Sequence, residues 1–294
     1  QIGDDGTFKT YVCDSCGGEI ITDDSTAATS CPYCGNPVVV PKQFEGMLKP
    51  DLIIPFKLDK KQAEQKLKEH LKGKILLPRL FRSENTIKEV KGIYVPFWLY
   101  SSDADAEIQC RATKVRTWRT SDYEYTETSH FLVSRGGQIA FDNVPADGSR
   151  KMADELMESI EPYQYEAAVP FEKAYLAGYL ADKYDVSSEE CAECANKRMQ
   201  ESTVHSFMDT ISGYTTCLPE KTDIRLRKGK ISYALLPVWV LSTKYKDEIY
   251  TFAMNGQTGK FVGNLPMDNG TVWKIFGGVF AAVFILVFGL TWLF

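Results

Sequence analysis

Four cysteines near the N-terminus, Cys13, Cys16, Cys31 and Cys34, form two Cys-x-x-Cys pairs separated by fourteen residues. Four thiolates can close a tetrahedral shell around zinc, and closed shells of this kind are structural rather than catalytic. Gly17 and Gly35 follow the pairs, where a tight turn needs a residue that tolerates positive φ, and Pro32 shapes the second knuckle. One structural Zn2+ is the expected cofactor. Iron in the same thiolate shell and a disulfide pairing are the alternatives. The metal would stabilise its own module, because so short a segment cannot bury a core. The intervening "GGEIITDDSTAATS" is expected to form a short hairpin turning at Asp23-Asp24.

The remaining chemistry-bearing residues form no convincing catalytic set, so the chain is expected not to be an enzyme. Cys191 and Cys194 share a helical face but lack a second pair nearby, and they read as partly buried free thiols; Cys110 and Cys217 are single and read as core or near-surface residues. His70, His130 and His205 stand outside any metal or triad spacing. "GQTGK" at 256–260 has two residues between its glycines rather than four, and Phe261 replaces Ser/Thr, so it reads as a hairpin turn and not as a phosphate loop. The carboxylates of "SDADAE" and "TSDYEYTETSH" fit surface strands.

A cysteine ribbon raises the question of nucleic acid. Residues 1–40 carry one basic side chain, Lys9, against Asp4, Asp5, Asp14, Glu19, Asp23 and Asp24. Binding to phosphates rests on Lys and Arg, so the field has the wrong sign. The whole chain has a net charge of −5. The dense basic run is Arg111, Lys114, Arg116 and Arg119, and strand alternation would put Lys114, Arg116 and Trp118 on one face. Nucleic acid is therefore a disfavoured partner, with Lys114, Arg116 and Trp118 as the candidate patch.

The other end of the chain points to a bilayer. Residues 275–294, "IFGGVFAAVFILVFGLTWLF", carry no charge, and thirteen of the twenty are Ile, Leu, Val or Phe. A helix of that length reaches about 30 Å, the thickness of the hydrocarbon core. Trp273, Lys274 and Trp292 are the expected interface residues. Lys260 and Lys274 precede the span and no charge follows it, which predicts a single pass through the cell membrane with the body in the cytoplasm. Gly277/Ala281 and Gly278/Ala282 are small-xxx-small pairs that would permit an oligomer in the membrane.

Between these ends lies an α+β body with antiparallel sheets. The expected division is a zinc ribbon over 1–45, a cytoplasmic body over 46–268 and a transmembrane helix over 272–294. A duplicated unit is suggested within the body, over about 50–150 and 160–266. "IIPF" and "AVPF" each precede a run read as helix, and "YVPFWLY" matches "LLPVWVL". A longer helix is expected from Ser187 to about Ile211, opened by a capping box. Gly136-Gly137, Lys228-Gly229 and Asn255-Gly256 read as turns between strands.

The stretches "CDSCGGEIITDDSTAATSCPYCGNP", "LKPDLIIPFKLDK", "KGIYVPFWLY", "RATKVRTW", "DYEYTETSH", "LMESIEPY", "AYLAGYLADKYDV", "YALLPVWVL" and "FAMNGQTGKFVGNLP" run through nearly the whole chain. Together they resemble a bacterial family of membrane proteins with a TFIIB-type zinc ribbon, sometimes named as helicase or phage-replication proteins. No Walker loop or helicase motif accompanies the resemblance. It implies that Cys13, Cys16, Cys31 and Cys34 are the zinc ligands. It further implies protein partners of the flotillin-like (SPFH) or phage-shock type, in envelope stress. The expected function is a non-enzymatic, membrane-anchored adaptor that docks partner proteins at the cytoplasmic face. A membrane-tethered nucleic-acid binder is the alternative.

Overall fold

Two antiparallel strands form the centre of the body: β6 (Lys91–Arg119) and β11 (Lys230–Tyr245). In the computed structural model, which describes residues 9–12, 19–22, 26–30, 37–39, 48–83, 86–87, 89–246 and 248–293, they pair with Val95 opposite Leu236. "VPFW" and "LPVW" thus lie side by side, Pro96 facing Leu235 and Pro237 facing Tyr94. Both faces are covered here. Tyr94, Trp98, Tyr233 and Leu235 enter one apolar cluster, and Val95, Phe97, Leu99, Leu236 and Val238 enter another. Burial on both sides explains why these strands read as continuous apolar runs instead of alternating.

Each proline sits where its strand changes partner. β6 pairs in parallel with β9 (Leu180–Asp182) up to Tyr94, and antiparallel with β7 (Glu124–Asp147) from Phe97. β11 pairs in parallel with β5 (Leu52–Ile53) at Ala234 and Leu235, and antiparallel with β12 (Glu248–Asn255) from Val238. The missing proline N–H therefore falls at a break in the ladder, where it leaves no gap.

The two halves repeat the same backbone and indole bonds around these prolines. Gly148 N–H donates to Pro96 O at 2.9 Å, and Gly256 N–H to Pro237 O at 2.8 Å. The carbonyl of Gly148 accepts from Asp185 and Val186, and that of Gly256 from Lys57 and Leu58. The indole of Trp98 donates to Val186 O, and that of Trp239 to Leu58 O. Helix α1 (Lys60–Leu71) starts with a capping box at Asp59 and Gln62. Helices α2 (Asp154–Ser159) and α3 (Ser188–Asp209) follow, and α3 starts with the same device at Ser187 and Glu190. The structural counterpart of β5 is thus β9, not "AVPF". That segment forms β8 (Val169–Pro170), the antiparallel partner of β5. The run after it is a short 3-10 turn, Lys173–Leu176, and not a full helix.

The halves differ in their hairpins. β6 and β7 run on together far past the core as an arm, joined at 120–123, and β10 (Thr216–Leu226) lines the other edge of β6. At about 3.3 Å per residue, β6 would span roughly 95 Å if straight. β7 is continuous through Gly136-Gly137, so the turn expected there is absent. A Cβ on Gly137 would lie 3.5 Å from the Phe207 ring of α3, an ordinary contact. Lys228-Gly229 likewise joins no hairpin, because β10 and β11 both pair with β6 along successive stretches. Asn255-Gly256 does lead from β12 to its partner β13 (Phe261–Gly263).

Near the N-terminus β1 (Lys9–Val12) pairs with β2 (Glu19–Thr22), and β3 (Thr26–Ser30) with β4 (Pro37–Val39). Among the described residues β2 and β3 do not pair, and the turn expected at Asp23-Asp24 lies outside the described residues. β3 also pairs with β9 on the main sheet. The chain ends in α4 (Asn269–Leu293), whose Asn269–Phe288 stretch has a mean hydropathy of 2.1 and no buried part.

Candidate functional site

The predicted zinc ligands Cys13, Cys16, Cys31 and Cys34 lie outside the described residues, as does the side chain of Trp292. Among the described residues no group of three or more His, Cys, Asp or Glu is arranged to hold a metal ion. Trp273 and Lys274 are exposed at the start of α4.

The repeated architecture exposes a difference the sequence reading missed. Asn255 and Asp147 occupy equivalent places, each one residue before the glycine that bonds to the central proline. Asn255 is completely buried and fully partnered. Its Oδ1 accepts from Gln257 and Thr258 N–H, both at 2.9 Å, and its Nδ2 donates to Ile160 O and Pro162 O. Asp147 keeps one such bond, from Ser149 N–H to Oδ1 at 3.0 Å. Its Oδ2 is buried without a partner.

Asp147 faces a cavity of about 210 Å³ between α2 and α3, lined also by Asp154, Glu158, Glu161, Cys191 and Cys194. Burial pushes the Asp147 carboxyl up to about 8, and the carboxylates of Asp154, Asp185 and Asp182 add to this against the Ser149 bond. Helix α3 brings Cys191 here because Cys191, Ala195 and Met199 form its buried stripe, whereas Cys194, expected to be partly buried, lines the cavity from an exposed position. Cys191 Sγ donates to Asp147 O at 3.1 Å, and burial, followed by the nearby Asp147, pushes its thiol up to about 12. Burial and then Glu158 raise Cys194 too. Activated cysteines have lowered pKa values, so these are held as neutral thiols. Beside them Arg198 donates to Glu161 at 2.5 and 3.1 Å and to Pro145 O at 2.6 Å. Burial raises Glu161, and the Arg198 bonds oppose that. The cavity thus holds protons on an acid and two thiols and presents no activated nucleophile.

The signal for this site was available in "ADG" and "MNG", which both end an apolar strand. The long arm within the first hairpin separated them from their matching Pro-x-Trp segments unequally and hid the equivalence.

The candidate basic patch is brought together as alternation predicts. Lys114, Arg116 and Trp118 share one face of the arm, with Trp118 stacked on its cross-strand partner Tyr125 at 5.6 Å. Much of the surrounding charge is already matched. Arg111 pairs with Glu220, Arg119 with Glu124 at 3.1 Å, and Arg116 stands opposite Glu127. The arm also exposes Tyr123, Leu132 and Leu218.

Comparison with known proteins finds a relative in Bacillus subtilis (strain 168) that bears the name "Uncharacterized protein YdjG". It is 38% identical over 327 aligned residues, covering 94% of this chain and 95% of the relative. No family model matches the chain, and no solved structure matches it.

Proposed function

The chain belongs to the family of the Bacillus subtilis protein YdjG, and we propose that it acts within that family as a non-enzymatic, membrane-anchored zinc-ribbon adaptor that docks partner proteins at the cytoplasmic face of the membrane. The observation that carries this reading is α4. An 18-residue window of its Asn269–Phe288 stretch has a mean hydropathy of 2.1 and no buried residue. Such a surface is unstable in water and suits a bilayer. Lys260 and Lys274 on the body side favour a cytoplasmic body.

Zinc is supported by the sequence positions of the two Cys-x-x-Cys pairs, one between β1 and β2 and one between β3 and β4. Four thiolates suit a closed tetrahedral site. When bound, the metal would tie the two hairpins together; Cys13, Cys16, Cys31 and Cys34 would hold it. Docking is supported by the arm, which carries Trp118, Tyr123, Tyr125 and Leu132 exposed beyond the core. Aromatic anchors of this kind are typical of protein interfaces. Flotillin-like or phage-shock-type partners follow from the resemblance to TFIIB-type zinc-ribbon membrane proteins.

The test is purification from gently solubilised native membranes, comparing wild type with Cys31→Ser. A reproducible partner lost in the variant supports docking through the ribbon. Absence of any reproducible partner with wild type refutes the adaptor. The face shared by Lys114, Arg116 and Trp118 keeps a nucleic-acid reading as the second choice. A gel shift that weakens steeply with salt would favour it.

A further inference from the structure

The loop after α1 meets the base of α4. Asp268 N–H donates to Leu76 O at 2.8 Å, and the Asp268 carboxylate accepts from Gly270 N–H and Thr271 Oγ1 at the helix start. Ile75 and Leu77 of the loop, with Leu265, Met267 and Ile275, line an open apolar groove of about 480 Å³. Ile75 is 69% exposed, Met267 64%, and Leu80 in the next turn 44%. Single exposed apolar residues are ordinary on soluble proteins. Ile75 and Met267 lie together in the groove, which reaches Ile275 on the uncovered apolar surface of α4, and Leu80 is a further exposed apolar side chain on the same segment.

Cations occur on the same segments, and Lys74 lines the groove itself. Lys72, Lys74 and Arg79 belong to the loop, with Lys72 and Arg79 exposed. Lys74 Nζ donates to His70 Nε2 at 2.7 Å, so the lysine is held toward α1. Lys246 and Lys274 lie close enough to Asp268 to help its Thr271 and Gly270 bonds keep the carboxyl below the usual range. Apolar side chains rimmed by cations are the composition that binds an interfacial surface bearing anionic lipid.

We propose that the loop 72–80, together with Met267 and the start of α4, forms a lipid-binding surface that seats the body on an anionic bilayer. Ile75, Leu80 and Met267 enter the boundary between headgroups and acyl chains. Lys72, Arg79, Lys246 and Lys274 meet lipid phosphates. The span alone would leave the body free to swing. This second contact fixes its tilt and thereby the direction in which the arm points. The inference rests on α4 being a span.

The test uses the full chain in nanodiscs of phosphatidylcholine alone or with about a third phosphatidylglycerol, read by amide hydrogen exchange across 73–81. At roughly fivefold per cation near an anionic surface, exchange should slow about tenfold or more in the anionic discs. Lys72→Glu with Arg79→Glu should abolish the difference between discs. Ile75→Asp with Leu80→Asp should speed exchange in both, and since both side chains are exposed, exchange in β6 and β11 should stay unchanged. Equal exchange in the two discs, or equal protection in detergent without lipid, overturns the proposal. A chain that does not enter nanodiscs at all would instead overturn the reading of α4.

Discussion

The unpartnered carboxylate of Asp147 makes a quantitative claim about stability. Its carboxyl moves from an ordinary value of 3.8 to about 8 in the folded chain. Below pH 4 the group is neutral in folded and unfolded chains alike and costs nothing. Between pH 4 and 8 the unfolded chain releases the proton and the folded chain keeps it, so stability falls by about 1.4 kcal/mol per pH unit. Above pH 8 both are ionised and the loss levels off. The full shift corresponds to about 6 kcal/mol, and water entering the cavity reduces this to roughly 3 kcal/mol. Asp147→Asn keeps the shape, copies the amide that Asn255 supplies in the other half, and removes the ionisation. Its melting temperature should match wild type at pH 4 and exceed it increasingly up to pH 8. For a body of this size, roughly 3 kcal/mol is about 6–12 °C. The measurement is thermal unfolding of the full chain in one detergent from pH 4 to 8. A difference between the two proteins that stays constant with pH would refute the reasoning.

Three further changes probe the repeated frame. A Cβ on Gly256 would sit 2.7 Å from the Phe56 ring and 2.9 Å from Pro237 Cβ, so Gly256→Ala should destabilise by about 1–3 kcal/mol in denaturant unfolding, as overpacking does. Asp59→Ala and Ser187→Ala remove equivalent capping boxes on α1 and α3; each should cost about 1 kcal/mol, and the double variant should show their sum. Arg198→Met leaves Glu161, with a side chain only 15% exposed, without its ion pair; a loss of about 2–4 kcal/mol at neutral pH should shrink on acidification as Glu161 takes up a proton.

How much of this could be read in the sequence depended on whether the cause was local. Helix α3 was legible because Ser187 and Glu190 form a capping box and its buried stripe recurs every four residues. The apolar C-terminal helix was legible because length and apolarity alone define it. "VPFW" and "LPVW" showed that two segments were alike. What they did not show was that these segments pair with each other, since register is a property of the assembled sheet. The glycines misled for a related reason. Gly136-Gly137 has the chemistry of a turn, yet β7 runs unbroken through it, paired with Glu107 and Ala106 of β6. "AVPF" resembled "IIPF" in letters, but the true counterpart of β5 is "LAD", which shares with it only a place beside a central strand and a capped helix after it. Asp147 escaped notice because "ADGSRK" has the composition of a solvated loop. Only its alignment with Asn255 shows that a position suited to a fully bonded amide carries an acid. Because the second half shows what a structural side chain looks like at that position, the acid is the place where this half departs from the requirements of the fold.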